Sequence, residues 1–146
     1  MCNWGTDYRK EWQPEEIESV VMALSAEAQL RSQKQLDERD AAKIDAGRKL
    51  IADDSKCGGC HKFRDGGNEG GPDLTGYGSR EWLSQFISNP AHERFYGEKN
   101  DRMPAFVAHA AGSPQNILSQ QKLDLIVDYL RGDWYEPEKP AVEPAK

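Results

Sequence analysis

The chain has 146 residues, carries a formal net charge of −6 and has a pI near 5.1. That length suits one domain with a modest extra segment. The acidic balance argues against nucleic acid as a partner, and no apolar run reaches the ~18 residues of a membrane-spanning helix.

Residues 1–16 are polar and hold no apolar core of the signal-peptide type. The chain has three cysteines, and Cys2 stands far from the other two, so there is no disulfide framework. Cys2 reads as an incidental thiol, a lipidation site or a junction residue. Gln13-Pro14-Glu15-Glu16 predicts a helix start, with Pro at the first helical position and acids in the first turn. Ile17, Val20, Val21 and Leu24 follow at helical spacing, and that face must pack on something. From Ser25 to Asp40 the chain is polar, a solvated helix or helical linker. A second amphipathic stretch carries Ile44, Gly47, Leu50 and Ile51. Gly inside a helix costs about 1 kcal/mol against Ala, so Gly47 marks a close helix crossing unless it stands there by chance.

Residues 64–78 are rich in Gly and turn-forming, as an ordered or a floppy loop. Ser79 is placed to cap a helix from Arg80 to Ile87, which Asn89-Pro90 stops. Residues 91–117 are irregular. The last helix begins near Ser119, with Leu118 and Leu123 as a hydrophobic staple. Its expected buried stripe is Leu123, Ile126, Val127 and Leu130, and Gly132 ends it. Residues 134–146 read as a disordered tail rich in Pro and Glu. No strand pattern and no fixed repeat is visible, so the expected class is all-α.

The chemistry lies in Cys57-Gly58-Gly59-Cys60-His61. A C-x-x-C-H run is the attachment site of a c-type haem. Each sulfur can form a thioether to a vinyl group, and the spacer puts both on one side of a tight turn. The next residue presents its imidazole to the iron. Gly58 and Gly59 leave little bulk where backbone and porphyrin approach. Only 37% of the chain is hydrophobic, low for a globular protein, and a haem would supply part of the missing core.

A six-coordinate haem needs a second axial ligand, commonly His or Met. Of the three methionines, Met1 is terminal and Met22 fits core packing. Met103 stands in a polar loop before Pro104, with little reason to be core filler, and is the favoured ligand opposite His61. His92 and His109 are the rivals. The other ring nitrogen of His61 needs a partner, and the carbonyl of Pro72 can accept that bond. Phe63, Leu74 and Phe106 are expected to line the apolar pocket. Arg80, Trp82, Tyr77 and Tyr96 can donate to propionates, although core packing accounts equally well for Trp82 and Tyr96. A structural zinc site would want four ligands and two paired knuckles, and only one pair exists. A thioredoxin-like motif would want a surrounding βαβ pattern, which is missing.

In chain order, the helix with Gly47, the motif at 57–61, Gly71-Pro72-Asp73-Leu74, the Trp82 helix, Met103-Pro104 and the Tyr129-Leu130 helix resemble the class I cytochrome c family. The resemblance runs from about Ala41 to Gly132. It implies a small all-α fold around one covalent haem c, in which the first and last helices cross near a small residue, here Gly47 against a residue near Tyr129. It also implies Cys57 and Cys60 as haem attachments, His61 and Met103 as axial ligands, and the Pro72 carbonyl as the group orienting His61. Residues 71–106 resemble more narrowly the c domains fused to, or encoded with, cytochrome b of bacterial quinol–cytochrome c reductases. The Ile17–Leu24 helix resembles the closing helix of such a domain, as if a preceding domain ended there.

The organisation expected is therefore a helical extension over 1–40, a cytochrome c domain over 41–133 and the tail over 134–146. The expected function is electron transfer without substrate chemistry of its own, in a respiratory or quinol-oxidising chain. The implied partners are redox proteins, with a cytochrome b/Rieske-type membrane complex among them. Haem attachment implies an extracytoplasmic place, as a piece of a larger exported or membrane-tethered protein. The alternative is a haem sensor or peroxidase-type enzyme with a labile distal ligand. A third is an interaction module in which residues 14–40 dock a partner subunit.

Overall fold

The computed structural model describes residues 12–133; Cys2 and the expected tail over 134–146 lie outside them. Five α-helices dominate: α1 (Pro14–Glu27), α2 (Lys34–Arg39), α3 (Ala41–Ala52), α4 (Arg80–Ser88) and α5 (Gln120–Arg131). Most of their ends follow from local chemistry. At the start of α1 the Gln13 backbone N–H donates to the Glu16 carboxylate at 2.9 Å, one half of a capping box. Ser79 and Ser119 accept from the backbone amides of Trp82 and Lys122, and Gly132 closes α5 in the left-handed region, φ 69°. The polar 25–40 segment is no continuous helix. It breaks at Gln29, φ 55°, and resumes through a 3-10 turn into α2.

A minimal antiparallel hairpin, β1 (Lys62–Phe63) with β2 (Gly66–Gly67), follows the C-x-x-C-H motif. It is an exception to the expected absence of strands. Two residues per strand, one strand being two glycines, are too short to carry an alternating pattern.

The main core is Trp12, Val20, Ala23, Ile44, Ile51 and Phe63. Ile51 and Phe63 are at most 1% exposed, and full burial of such side chains contributes about 1.5–3 kcal/mol each. This core joins α1 to α3. The crossing point is Gly47, where a Cβ would stand 1.9 Å from the Ser19 carbonyl oxygen and 2.9 Å from the Ala23 Cβ. Gly47 thus does mark a close crossing, but with α1 and not with a residue near Tyr129. Tyr129 is 72% exposed. The physical reason is bulk: Ser19 and Ala23 are small, whereas α5 contains no Gly, Ala or Ser.

α5 packs instead on α4. Leu123 and Val127 are buried there, while Ile126 and Leu130, expected in the same stripe, are 38% and 57% exposed. One narrow contact face covers only half of that stripe. Arg80 on α4 pairs with Asp128 on α5. At the far end of α5 the Arg131 guanidinium donates to the carbonyls of Ala28 and Gly78 at 2.7 and 2.9 Å. A cation there suits the carbonyl-rich end of α1. A second, aromatic cluster of Tyr77, Trp82, Phe86, Phe95 and Tyr96 fills the space beside α4.

Candidate haem-attachment site

The C-x-x-C-H motif folds as a 3-10 turn over Cys57–Gly59, in which the amides of Cys60 and His61 both donate to the Cys57 carbonyl. This turn lies hard against the end of α3. A Cβ at Gly58 would stand 2.6 Å from the Ala52 carbonyl oxygen, and one at Gly59 2.5 Å from that of Asp54. The spacer glycines are therefore required by their own backbone neighbours, a reason the sequence did not disclose. Cys57 and Cys60 are half-buried. Burial pushes the Cys57 thiol up, and Lys56 opposes the shift, so the sulfur is neutral near pH 7.

The imidazole of His61 is oriented from outside the motif. Its Nδ1 lies 2.9 Å from the Pro72 carbonyl oxygen. With Nδ1–H donating there, Nε2 is the nitrogen available to bind a metal. Gly71 permits the close pass, since a Cβ there would fall 2.8 Å from the His61 ring. The turn bearing Pro72 is itself held on both sides. The amide of Leu74 donates to the Lys62 carbonyl at 2.9 Å and that of Asp73 to the Arg94 carbonyl at 2.8 Å. The Trp82 indole N–H donates to the Asp73 carbonyl at 2.8 Å.

Cys57, Cys60, His61 and Leu74 open onto a cleft of about 540 Å³, within the range of small-molecule and cofactor sites, about 300–1,000 Å³. α1 also lines it, through Ile17, Val20, Val21 and Leu24. Trp12 and Lys56 stand at its side, with the Lys56 ammonium 4.3 Å from the Trp12 ring centre. An apolar slot flanked by two thiols and one oriented imidazole fits a covalently held haem.

Residues 44–134 match the family model described as Cytochrome c. The chain belongs to the cytochrome c family. No curated protein and no solved structure matched it. As a c-type cytochrome it binds covalently attached haem c and serves haem-based electron transfer. Its mostly helical architecture agrees with the class I fold.

Not every residue expected at the haem lines this cleft. Phe63 is 1% exposed and sits in the main core behind the motif. Trp82 spends its N–H on Asp73 and stacks on Phe86 at 4.9 Å, so it steadies the Pro72 turn. Arg80 is engaged with Asp128. Tyr77 packs edge-on against Trp82. Phe106 is half-buried in the loop, its carbonyl accepting from Leu118. Met103 is 37% exposed, and its backbone is clasped by the Asn100 side chain through two hydrogen bonds. His92 accepts the Arg94 amide at Nδ1.

Two features of the cytochrome were missed in the sequence. The first is the α1 wall; its four apolar residues were legible, their destination was not. The second is Glu27, only 5% exposed. Its carboxylate takes Arg48 at 3.2 Å, Arg64 at 2.6 Å and the Gly76 amide at 3.0 Å. The signal was its spacing: Val20, Ala23 and Glu27 share one helical stripe.

Proposed function

We propose that this chain is a single-haem electron relay with His61 and Met103 as axial ligands, working on the outer side of a membrane beside a quinol-oxidising complex of the cytochrome b/Rieske type. The observation that carries the reading is the His61–Pro72 hydrogen bond at a cleft flanked by Cys57 and Cys60. Haem iron, when bound, takes up and releases one electron. Cys57 and Cys60 hold the group covalently, so it cannot leave with a partner. The Pro72 carbonyl fixes the tautomer and plane of His61 and raises its basicity as a ligand. The apolar cleft limits water, which keeps reorganisation small on electron transfer and helps set the potential.

Met103 is supported by its setting. Met103 is 37% exposed, on a loop whose backbone the Asn100 side chain holds through two hydrogen bonds. The likeness of residues 71–106 to c domains accompanying cytochrome b supports the quinol-oxidising setting. The net charge of −6 favours basic partner surfaces and rates that fall with salt.

The deciding experiment is the absorption spectrum of the oxidised and reduced holoprotein, including the weak near-infrared band of Met–iron ligation. The band is expected in the wild type and absent from Met103→Ala. Its absence from the wild type would remove Met103 from the iron. Because Met103 does not line the cleft, a second reading stays distinct: an open iron that binds small gases. Tight carbon monoxide binding by the reduced, folded protein would select it over the relay.

A further inference from the structure

We infer that α1, which lies before the family-matched stretch, is a wall of the haem site, with Ile17, Val21 and Leu24 in contact with the porphyrin. The family match begins at residue 44, beyond the end of α1. Yet α1 carries two adjacent apolar stripes. Val20, Ala23 and Glu27 are buried, and Ala23 meets Gly47 on α3. Ile17, Val21 and Leu24, spaced i, i+4, i+7, line the same cleft as Cys57, Cys60 and His61. Val21 is 60% exposed and Ile17 36%, although they belong to a helix fastened at both ends. Glu16 and Lys56 pair at 3.5 Å near its start. Glu27 and the Arg131 contact to Ala28 hold its end. A fixed helix that leaves an apolar stripe open toward two half-buried cysteines is shaped for the group those cysteines carry.

α5 gives the contrast. It lies within the family match, but none of its residues lines the cleft, and Leu125, Ile126, Tyr129 and Leu130 are exposed. The haem domain of this chain thus extends back to α1, and residues 14–27 are no linker. The inference rests on haem attachment at Cys57 and Cys60 and not on the identity of the second iron ligand.

The test is methyl NMR of the reduced holoprotein labelled at Ile, Leu and Val, with carbon monoxide added if the iron is open, so that it is diamagnetic in either case. Porphyrin ring current should move the methyls of Ile17, Val21 and Leu24 upfield of the ordinary envelope. Ile17→Val, Val21→Ala and Leu24→Met assign them by loss of one Ile signal, one pair of Val signals and one pair of Leu signals. Ordinary shifts for these methyls would overturn the inference, and displaced methyls on Leu125, Ile126 or Leu130 would hand the wall to α5. Loss of the near-infrared band alone would leave these shifts in place, so the two readings fail separately. Potentiometry gives a second readout at matched exposure, Val21→Asp against Leu125→Asp, at 60% and 62%. A negative charge beside the iron stabilises its oxidised form, so Val21→Asp should lower the potential and Leu125→Asp leave it unchanged. Equal shifts, or none, would count against the wall.

Discussion

Gly47→Ala tests the architecture by the sign of its effect. In an open helix face this change removes backbone freedom from the unfolded chain and stabilises by about 1 kcal/mol. Here the new Cβ would stand 1.9 Å from the Ser19 carbonyl oxygen, where approaches under 3.0 Å are essentially never found. The oxygen belongs to helix backbone and cannot rotate away. α1 and α3 must separate by about an ångström, loosening Val20, Ala23, Ile44 and Ile51. Overpacking of this kind costs about 1–3 kcal/mol. After the propensity gain, the expected net loss is up to about 2 kcal/mol. With a urea m-value of about 2 kcal/mol per molar, the midpoint should fall by up to roughly 1 M. The assay is urea unfolding of the holoprotein followed by far-UV circular dichroism, with Gly66→Ala as control, since its nearest neighbour would be at 3.6 Å. A raised midpoint for Gly47→Ala would refute the α1–α3 crossing.

Glu27→Gln should lower stability by about 1–3 kcal/mol, because Arg48 and Arg64 lose their shared carboxylate while the Gly76 amide keeps an acceptor; a loss below about 0.5 kcal/mol in the same urea assay would show that these ions are solvated instead. Acid should loosen the start of α1. The Gln13 amide, with Lys56 assisting against burial, holds the Glu16 carboxyl below its usual value. Its contribution is therefore complete above the unfolded-state pKa of about 4.3 and lost as pH falls through the lower folded-state value. Urea midpoints measured from about pH 6 downward should fall less steeply in Glu16→Gln than in the wild type, and identical slopes would exclude the link.

What could be read locally was read from single segments. Helix starts at Pro14 and Arg80, the Ser79 and Ser119 caps and the Gly132 stop depend on neighbours within a turn. The attachment chemistry was equally local, since Cys57, Cys60 and His61 share one tight turn. The bond from His61 to Pro72 spans only a short loop. Residues 12–13, 14–27 and the buried Glu27 were another matter. Periodicity states that a helix has an apolar face and is silent on what that face meets.

Two helices here offer similar faces, Ile17–Leu24 and Leu123–Leu130, and Gly47 offers one crossing. Tertiary packing awarded it to α1, because Ser19 and Ala23 let the backbones approach and the bulkier α5 does not. That choice settled which helix walls the cleft and why Ile126 and Leu130 remain exposed. The amino-acid sequence by itself determined the attachment turn, the helix ends and the all-α class, all short-range matters of covalent spacing and hydrogen bonding. Only the tertiary structure decided which helix closes over the haem site, because that turns on fit between surfaces distant in the chain.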